Sequence, residues 1–533
     1  MSTITVEAPR PGARVLPPLG TLLASGLWMA AWVAGALVTQ GSRKEALVLA
    51  VAQGLLALLT IELVRVTLPY ARSRAGVYVL PILALHVALY YGVFNIVPAL
   101  FIDWRPQYGT INRVPEAPIS AYLAATWAAA SLLVGLALGC RLANGFLQKR
   151  PNALPAQPRD GRLAWLPGYQ TSLAVALGLA GVMLFTTLRY GTQYYLMFSN
   201  EDQLAALPFW EQLLFHGIFP FLPLPPLLAA AAIVAARTRL QHRCGVAALI
   251  VITAFDIAAL SVWEMRGPAI LVFFLPMALF VYTGRMRWHK MLLPAVVLGT
   301  LVYAVVTVAR LSNLGEQLGQ GTSLTLSTAG EVLGAGADTD VLLEKFVTDI
   351  SYRTSGLEPV AGIVHGQEAG ILRPMGGRVV LAGFIQALPA ALRPALALPD
   401  RIKTAPSHYG WFIPGDYVTT LLSELVMDAG PWLVVLPAIG VGLLLALFDH
   451  ALLMLGQRPA LQPLLVVRLA WLLMVLNAGS IADLTLMFVK GTIGYSLLLV
   501  VFGIAGSVVR KLAGAKAIRD GLSPSTLTPL SYD

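Results

Sequence analysis

The chain has 533 residues, of which 57% are hydrophobic and 12% charged, with a mean hydropathy of +0.73. Apolar runs of about 20 residues recur along it, the length that an α-helix needs to cross about 30 Å of hydrocarbon. This pattern indicates a polytopic helical membrane protein and excludes a β-barrel, whose strands would alternate in segments of about ten residues. The net charge of +10 does not call for a nucleic-acid partner, because basic loops facing anionic lipid account for it.

The apolar runs predict an all-α polytopic membrane protein with about twelve transmembrane helices. The predicted spans lie near residues 20–40, 46–66, 77–101, 119–140, 169–188, 211–236, 245–263, 267–284, 291–309, 418–446, 461–479 and 486–509. Lys and Arg concentrate in alternate loops, and basic residues are retained on the cytoplasmic side during insertion. Both termini are therefore predicted to be cytoplasmic, and the first span is expected to remain as an anchor.

A very short connection joins two of these spans, in the sequence EMRGPAILVFFLP. Arg266 is predicted to lie at the outer membrane boundary, because a charged group exposed to lipid costs several kcal/mol. Gly267 permits a tight turn, and Pro268 suits the first position of the following helix. Arg266 and that helix N-terminus together suggest a seat for a phosphate. The alternative is an ion pair with Glu264 or a side chain that reaches to the lipid head groups.

A long insert interrupts the apolar pattern and divides the chain into three predicted segments. These are an N-terminal transmembrane bundle at 1–310, a large external loop at 311–417 and a C-terminal transmembrane bundle with a cytoplasmic tail at 418–533. The insert begins with a Gly-, Ser- and Thr-rich stretch, for which we predict mobility. An amphipathic helix is predicted from Asp338, with Arg353 beside its apolar face and Glu358 after a break at Gly356.

The rest of the insert carries further charged residues. Arg373 and Arg378 flank Gly376 and Gly377 in a block too interrupted by Gly and Pro for a full span, which predicts a re-entrant or interfacial segment. A third block contains His408. It leads into the predicted tenth span, where Glu424 and Asp428 lie about one helical turn apart.

Two stretches carry a resemblance to a known superfamily. The sequence SHYGWFIPGDYVTTLLSELVMDAGPWLVVLPAIGVGLLLALF resembles the block after the large external loop of Wzy-type O-antigen and exopolysaccharide polymerases and of O-antigen ligases. The hairpin EMRGPAILVFFLP is similar to the G-S-R-G-type hairpin of the same superfamily, with Glu264 and Met265 in place of small residues. The order of these features matches over about residues 245–509. Tyr409 stands where that pattern has Asn after the His.

The resemblance implies a GT-C-like fold and a metal-independent glycosyltransferase of the bacterial inner membrane. Such enzymes transfer an oligosaccharide from a polyprenyl pyrophosphate donor to an acceptor sugar at the outer face of the membrane. Arginines would hold the leaving pyrophosphate, because a bidentate guanidinium suits phosphate oxygens. The candidates for this role are Arg266, Arg353 and Arg378, with Arg373 behind them. A base must also accept the acceptor's proton. His408 is the first candidate for it, and Glu424 and Glu358 are the next.

Other readings of these residues stay open. Arg353 could contact lipid head groups, Arg378 could pair with Asp338, Asp340 or Glu368, and His408 could cap the tenth span. Arg468 and Lys490 are second-tier candidates, expected to pair with Asp483 or to line a groove for the lipid phosphate. No metal-binding, Walker A or dinucleotide motif occurs in the sequence, so no metal or cofactor is predicted.

The function also has competing interpretations. A ligase would share the donor but use a lipid A core as its acceptor, and a transporter or flippase of lipid-linked sugars would share the number of spans. A polyprenyl monophosphate-dependent glycosyltransferase would be expected to carry paired carboxylates in its first external loop, which this sequence lacks. The expected partners are the lipid-linked oligosaccharide donor and acceptor and the membrane lipids. The resemblance also allows for a chain-length regulator and a flippase, and no nucleic acid is expected.

Overall fold

The computed structural model describes residues 19–38, 43–73, 79–92, 117–148, 168–190, 208, 224–262, 356–386 and 420–456, with a few residues between 272 and 283 and at 468, 471 and 484. This part of the chain is helical and contains no strand. The helices, in chain order, are α1 (Leu19–Val38), α2 (Arg43–Ser73), α3 (Val79–Tyr91), α4 (Ile119–Gln148), α5 (Tyr169–Tyr190), α6 (Leu224–Ala235), α7 (Arg239–Val262), α8 (Leu357–Glu368), α9 (Arg378–Gln386), α10 (Leu421–Ala429) and α11 (Val435–Gly456).

Within the described residues, five helical stretches are long and apolar enough to cross a membrane. They are Leu47–Thr67, Ile119–Ala143, Tyr169–Thr187, Arg239–Ala259 and Val435–Leu455. Helices α1, α3 and α6 contain shorter apolar stretches. The prediction of a helical membrane protein is therefore confirmed at this level. The predicted spans at 291–309 and 486–509 lie outside the described residues, as does nearly all of 461–479.

The predicted tenth span, 418–446, is not one continuous helix. Its first part is the nine-residue helix α10, and the membrane-length helix α11 begins only at Val435. Gly430 separates them with φ of 74°, in the left-handed region that glycine adopts readily. Pro431 follows and has no backbone N–H with which to continue the helix. The apolar composition runs through this break, which is why the hydropathy pattern missed it.

The described residues form two compact units. The first contains α1 to α4, residues 356–381 and residues 420–446; the second contains α5 to α7, residues 382–386 and residues 447–456. This grouping follows contacts and not chain order, so that residues from all three predicted segments contribute to the first unit. The predicted boundaries at 310 and 417 stay a prediction. In the second unit, α5, α6 and α7 pack on one another around Ala176, Leu228, Ala229 and Ile252.

Helices α4 and α11 approach each other closely within the first unit because both present glycine at their contact. A Cβ added to Gly135 would lie 2.6 Å from Val435 O, and one added to Gly139 would meet Ile439 O and lie 2.6 Å from Leu443 N. Gly135 and Gly139 form a small-xxx-small pair, the spacing that lets membrane helices bring their backbones together. The contacts advance along both helices in the same direction, so α4 and α11 run parallel.

We predict that Gly139→Ala destabilises the first unit by about 1–3 kcal/mol, because its methyl group must push the two backbones apart. Gly145→Ala on the same helix is the matched control, since a Cβ there meets nothing within 4 Å. Thermal unfolding of both purified variants in detergent measures the effect. A melting temperature that falls for Gly139→Ala but not for Gly145→Ala supports this packing, and equal melting temperatures would contradict it.

Candidate functional site

The structure describes four of the seven residues proposed for the site. Glu424 lies on α10, Arg378 begins α9, Arg373 lies in the turn before it, and Glu358 belongs to α8, although its side chain is outside the described part. The remaining three, Arg266, Arg353 and His408, lie outside the described residues. Gly356 precedes the first residue of α8, which agrees with the break predicted there.

Helix α10 is short, acidic and enclosed by protein. Its start is defined by a capping box, in which Ser423 N–H donates to Thr420 Oγ1 at 3.1 Å and Thr420 N–H donates to Ser423 Oγ at 2.8 Å. Every residue from Leu421 to Asp428 is buried, and Glu424 is 0% exposed. Glu424 lies in the first turn, where the positive end of the helix dipole favours a carboxylate. The capping box and the dipole both stabilise this nine-residue helix.

Tyr91, the last residue of α3, connects α10 to the bundle. The Leu422 N–H at the start of α10 donates to Tyr91 Oη at 3.3 Å, and the Tyr91 hydroxyl also shares a hydrogen bond with the Thr420 side chain. Tyr91 is completely buried, and the carboxyl group of Glu424 lies near its phenol. One tyrosine thus bonds to groups at the N-terminus of α10.

A second layer of polar groups holds this end of α3. Gln53 on α2 donates through Nε2 to Tyr91 O at 3.2 Å and to Thr126 Oγ1 at 3.0 Å, and Thr126 Oγ1 donates to Tyr122 O at 2.9 Å. Gln53 is 0% exposed and so belongs to the interior. His86 is also buried, with its ring centroid 4.4 Å from that of Tyr90. We call this group the Tyr91 cluster: Gln53, His86, Tyr91, Thr126, Thr420, Ser423 and Glu424.

The insert joins the bundle beside this cluster. The Gly356 N–H donates to Tyr90 O at 3.1 Å, and a Cβ on Gly356 would lie 2.9 Å from the Tyr91 ring, so glycine is needed for this approach. From there α8 packs against α4 and α10, with Val360 and Val364 fully buried. At least this part of the insert is therefore packed into the helical core of the first unit.

The carboxyl group of Asp428 fastens the next part of the insert to the end of α10. Asp428 Oδ1 accepts the Val379 N–H at 3.0 Å, and Oδ2 accepts the Val380 N–H at 2.8 Å. Both donors belong to the first turn of α9, where backbone N–H groups have no partner within the helix. Burial raises the pKa of the Asp428 carboxyl, and the N–H donors at the start of α9 act in the opposite direction. We call this contact the Asp428 clasp.

The residues between α8 and α9 form a turn that begins on α8 and is bonded to α10 near its end. The Met375 N–H donates to Met427 O at 2.9 Å and the Gly376 N–H to Asp428 O at 3.0 Å. Gln367 Nε2, in the last turn of α8, donates to Val426 O at 3.0 Å. Gly376 and Gly377 have φ of 63° and 89°, which a residue with a Cβ rarely adopts. The predicted interruption of this block is thus confirmed for the described residues.

This turn, residues 369–378, carries the two described candidate arginines, and we call it the arginine turn. Arg373 and Arg378 are both exposed. Within the described residues Arg378 forms no ion pair, so the suggested pairing with Glu368 is not observed. The N-terminus of α9 is occupied by the Asp428 carboxyl group. Any external anion at this turn would therefore be bound by the guanidinium groups.

The first unit also contains an exposed pair of tryptophans, Trp127 and Trp432. The ring centroids of Trp127 and Trp432 are 6.4 Å apart, and the two residues are 56% and 63% exposed. Tryptophan is enriched at membrane–water interfaces, where an amphipathic ring meets the head groups. Trp127 follows Thr126 of the Tyr91 cluster, and Trp432 lies four residues after Asp428. The tryptophan pair is therefore close in sequence to both the Tyr91 cluster and the Asp428 clasp.

Arg468 binds a partner that the sequence did not suggest, and the suggested pairing with Asp483 stays a prediction. Its guanidinium group binds the Asp449 carboxylate in the second unit, with Nε 2.6 Å from Oδ1 and Nη2 2.8 Å from Oδ2. Asp449 is 0% exposed and Arg468 is 6% exposed. The structure thus uses Arg468 in a buried bidentate ion pair, whereas Asp483 and Lys490 lie outside the described residues. No group of three or more His, Cys, Asp or Glu residues that could hold a metal occurs in the described part of the chain.

Sequence reasoning missed most of the Tyr91 cluster and the clasp. Gln53 and Thr126 lie within apolar spans, and a polar residue in such a position is a signal for an interior contact. Their partners are 38 and 73 residues apart from Gln53 in the sequence, so the pairing itself has no local pattern. Asp428 was identified, but its partners are backbone groups, which no sequence motif marks.

No protein-family model, curated protein or solved structure matches the chain. The site is therefore interpreted from its own geometry and chemistry.

We predict that Asp428→Ala releases the arginine turn from α10. Two hydrogen bonds to a charged group are lost, which lowers the local stability by about 2–3 kcal/mol and raises the open population on the order of 30- to 150-fold. Limited trypsin digestion measures this opening at the Arg378–Val379 bond, since Pro374 protects the bond after Arg373.

Asp428→Asn is the matched comparison, because its side-chain carbonyl can still accept one of the two N–H groups. Cleavage at Arg378 should be fastest in the Ala variant, intermediate in the Asn variant and slowest in the wild-type protein. Identical cleavage rates in all three proteins would show that Asp428 does not hold the turn.

Proposed function

We propose that the chain is a glycosyltransferase that joins polyprenyl-pyrophosphate-linked oligosaccharide repeat units into a surface polysaccharide. It would act at the outer face of the bacterial inner membrane, with both termini in the cytoplasm and about twelve helices in the GT-C-like arrangement that the resemblance implies. The resemblance to Wzy-type polymerases and O-antigen ligases suggests the reaction. The geometry of the first unit supports a site for its pyrophosphate.

The observation that carries this proposal is the attachment of the arginine turn to α10. Arg373 and Arg378 are exposed, while the backbone that bears them is bonded to Met427 and Asp428. A lipid-linked donor places its pyrophosphate at the membrane surface, because its polyprenyl chain stays in the hydrocarbon. Two guanidinium groups on a fixed backbone would meet that pyrophosphate with little loss of conformational freedom.

The proposed reaction needs no cofactor because the donor is already activated. The acceptor hydroxyl oxygen forms a bond to the anomeric carbon of the donor, and the bond from that carbon to the pyrophosphate oxygen breaks. The pyrophosphate leaves with the bonding electrons, and the arginines stabilise its charge. The acceptor proton passes to a base, for which His408 is the first candidate and Glu358 another.

Glu424 has a different part in this proposal. Its carboxyl group is fully enclosed beside Tyr91, so it has no direct path to an acceptor hydroxyl in this conformation. We assign it as a positioning residue that stabilises the N-terminal turn of α10 through the helix dipole. Replacement of Glu424 by Gln should therefore lower the stability of α10 and have little effect on the pH dependence of the reaction.

The test of the function is incubation of the purified chain with lipid-linked repeat units and separation of the products by size. A ladder of longer lipid-linked oligosaccharides supports the polymerase. Transfer to a lipid A core alone would identify a ligase. If no product forms with either acceptor and a labelled lipid-linked sugar moves saturably across the vesicle membrane, the chain is a transporter and not this enzyme.

In this assay we predict that Arg373→Ala and Arg378→Ala each lower kcat/KM for the donor. Each substitution removes a charge-assisted contact of about 1.5–3 kcal/mol, equivalent to about 10- to 100-fold in rate. Arg239→Ala is the control, since Arg239 is an exposed arginine at the start of α7 in the second unit. Equal values of kcat/KM for all three variants would show that the arginine turn is not part of the donor site.

Arg266 and Arg353, which lie outside the described residues, are the other candidates for the pyrophosphate site. We predict that Arg266→Ala and Arg353→Ala each abolish elongation while the protein stays inserted and folded. Circular dichroism and the elution volume in detergent check the fold. Normal elongation by either variant would exclude that arginine from the reaction.

A further inference from the structure

A buried carboxyl group in the second unit has no role in the proposed reaction. Asp256 lies on α7, inside the membrane-length stretch Arg239–Ala259, and is 0% exposed. One helical turn before it, Ile252 packs into the core that also contains Ala176 and Leu228. Asp256 therefore belongs to the interior of the bundle formed by α5, α6 and α7.

The described surroundings of Asp256 offer its carboxyl group no hydrogen bond. Neither Oδ1 nor Oδ2 has a partner among the residues that the structure describes. The pairing of α6 with α7 places Asp256 beside the first turn of α6. Gly245 lies against Ile233, and Ile252 packs with Leu228 and Ala229, so the next turn of α7 is level with residues 224–226 of α6. Pro225 and Pro226 lie there, and proline has no N–H to donate.

The charged residues of the three helices lie at other levels. Helix α6 has none, and the basic residues of α7, Arg239 and Arg243, precede Asp256 by at least 13 residues, or roughly 20 Å along the axis. His242 and Cys244 share that end of α7. On α5, Ala176 is level with Ile252, and Arg189 lies 13 residues beyond Ala176. Arg189 is therefore at least about 13 Å from Asp256 along the helix axis. Tyr169 lies at the opposite end of α5.

A second buried acid shows how this chain accommodates a charged carboxylate inside a helix of membrane length. Asp449 is also 0% exposed, and both of its oxygens bind the Arg468 guanidinium group at 2.6 and 2.8 Å. That arrangement pairs the charge and supplies a donor to each oxygen, as a buried carboxylate requires. The described residues supply Asp256 with neither an opposite charge nor a hydrogen-bond donor. An isolated carboxylate in such an environment is far less stable than the neutral acid.

We propose that Asp256 is a proton-binding site within the membrane and that its carboxyl group keeps this proton at neutral pH. The neutral acid can lie in the apolar bundle without a counter-ion. This site does not depend on the proposed glycosyltransferase reaction, because it rests on the α5, α6 and α7 bundle alone.

Infrared difference spectroscopy of the full chain in lipid nanodiscs tests this proposal directly. The spectrum of the wild-type protein minus that of Asp256→Asn should contain the C=O stretching band of a neutral carboxylic acid at neutral pH. The band should shift to lower frequency in ²H₂O, as expected when the bound proton exchanges. The Asp256→Glu variant should keep an acid band at a shifted position, which covers the case in which the Asn variant does not fold.

Asp449→Asn is the matched control, because Asp449 is equally buried but ion-paired. Its difference spectrum should contain the paired stretching bands of a carboxylate and no acid band. Carboxylate bands in place of the acid band for Asp256 would overturn the proposal, since they would require a partner from another part of the chain. Replacement of the acid band by carboxylate bands when NaCl substitutes for choline chloride would also overturn it, in favour of a sodium site.

Discussion

The hydrogen bonds between the Asp428 carboxyl group and the first turn of α9 hold the candidate site together. They join a side chain of α10 to backbone groups of the insert, which are 48 and 49 residues away in sequence. The glycines at 376 and 377 let the chain turn so that these N–H groups face α10. Without this contact, the turn that bears Arg373 and Arg378 would depend on weaker backbone contacts to Met427 and Asp428. One buried acid therefore contributes the side-chain part of the contacts that position the arginines relative to α10.

The same physical constraint explains the other polar residues of the interior. A polar group removed from water needs a partner, and three buried polar residues of the described part meet this need in different ways. Asp428 uses backbone donors, Asp449 uses a guanidinium group, and Gln53 bonds to a carbonyl and a hydroxyl group. Asp256 is the contrasting case, because the described residues give its oxygens no partner. The proton that we assign to it is the simplest way to remove the charge.

The apolar pattern of the sequence was sufficient to predict the helical class and several helix bounds. Predicted spans at 119–140 and 169–188 correspond to α4 (Ile119–Gln148) and α5 (Tyr169–Tyr190), because long continuous apolar runs can be satisfied only by helices in a membrane. The break at Gly430 was missed because apolar residues continue on both sides of it. The pairing of Gln53 with Tyr91 and Thr126 was also beyond prediction, since it joins three helices through contacts that depend on packing. Glu424 was a candidate base and Asp428 was noted one helical turn after it, but the burial of both residues and the backbone partners of Asp428 required the structure.

The proposed function requires the arginine turn to bind the pyrophosphate of a lipid-linked donor. The most direct measurement is the affinity of the purified chain for polyprenyl pyrophosphate and for polyprenyl monophosphate in nanodiscs, compared between the wild-type protein and the Arg373→Ala, Arg378→Ala double variant. The account predicts tighter binding of the pyrophosphate by the wild-type protein, and loss of this preference in the double variant. Equal affinity for the two lipids, or an unchanged preference after both arginines are removed, would contradict it.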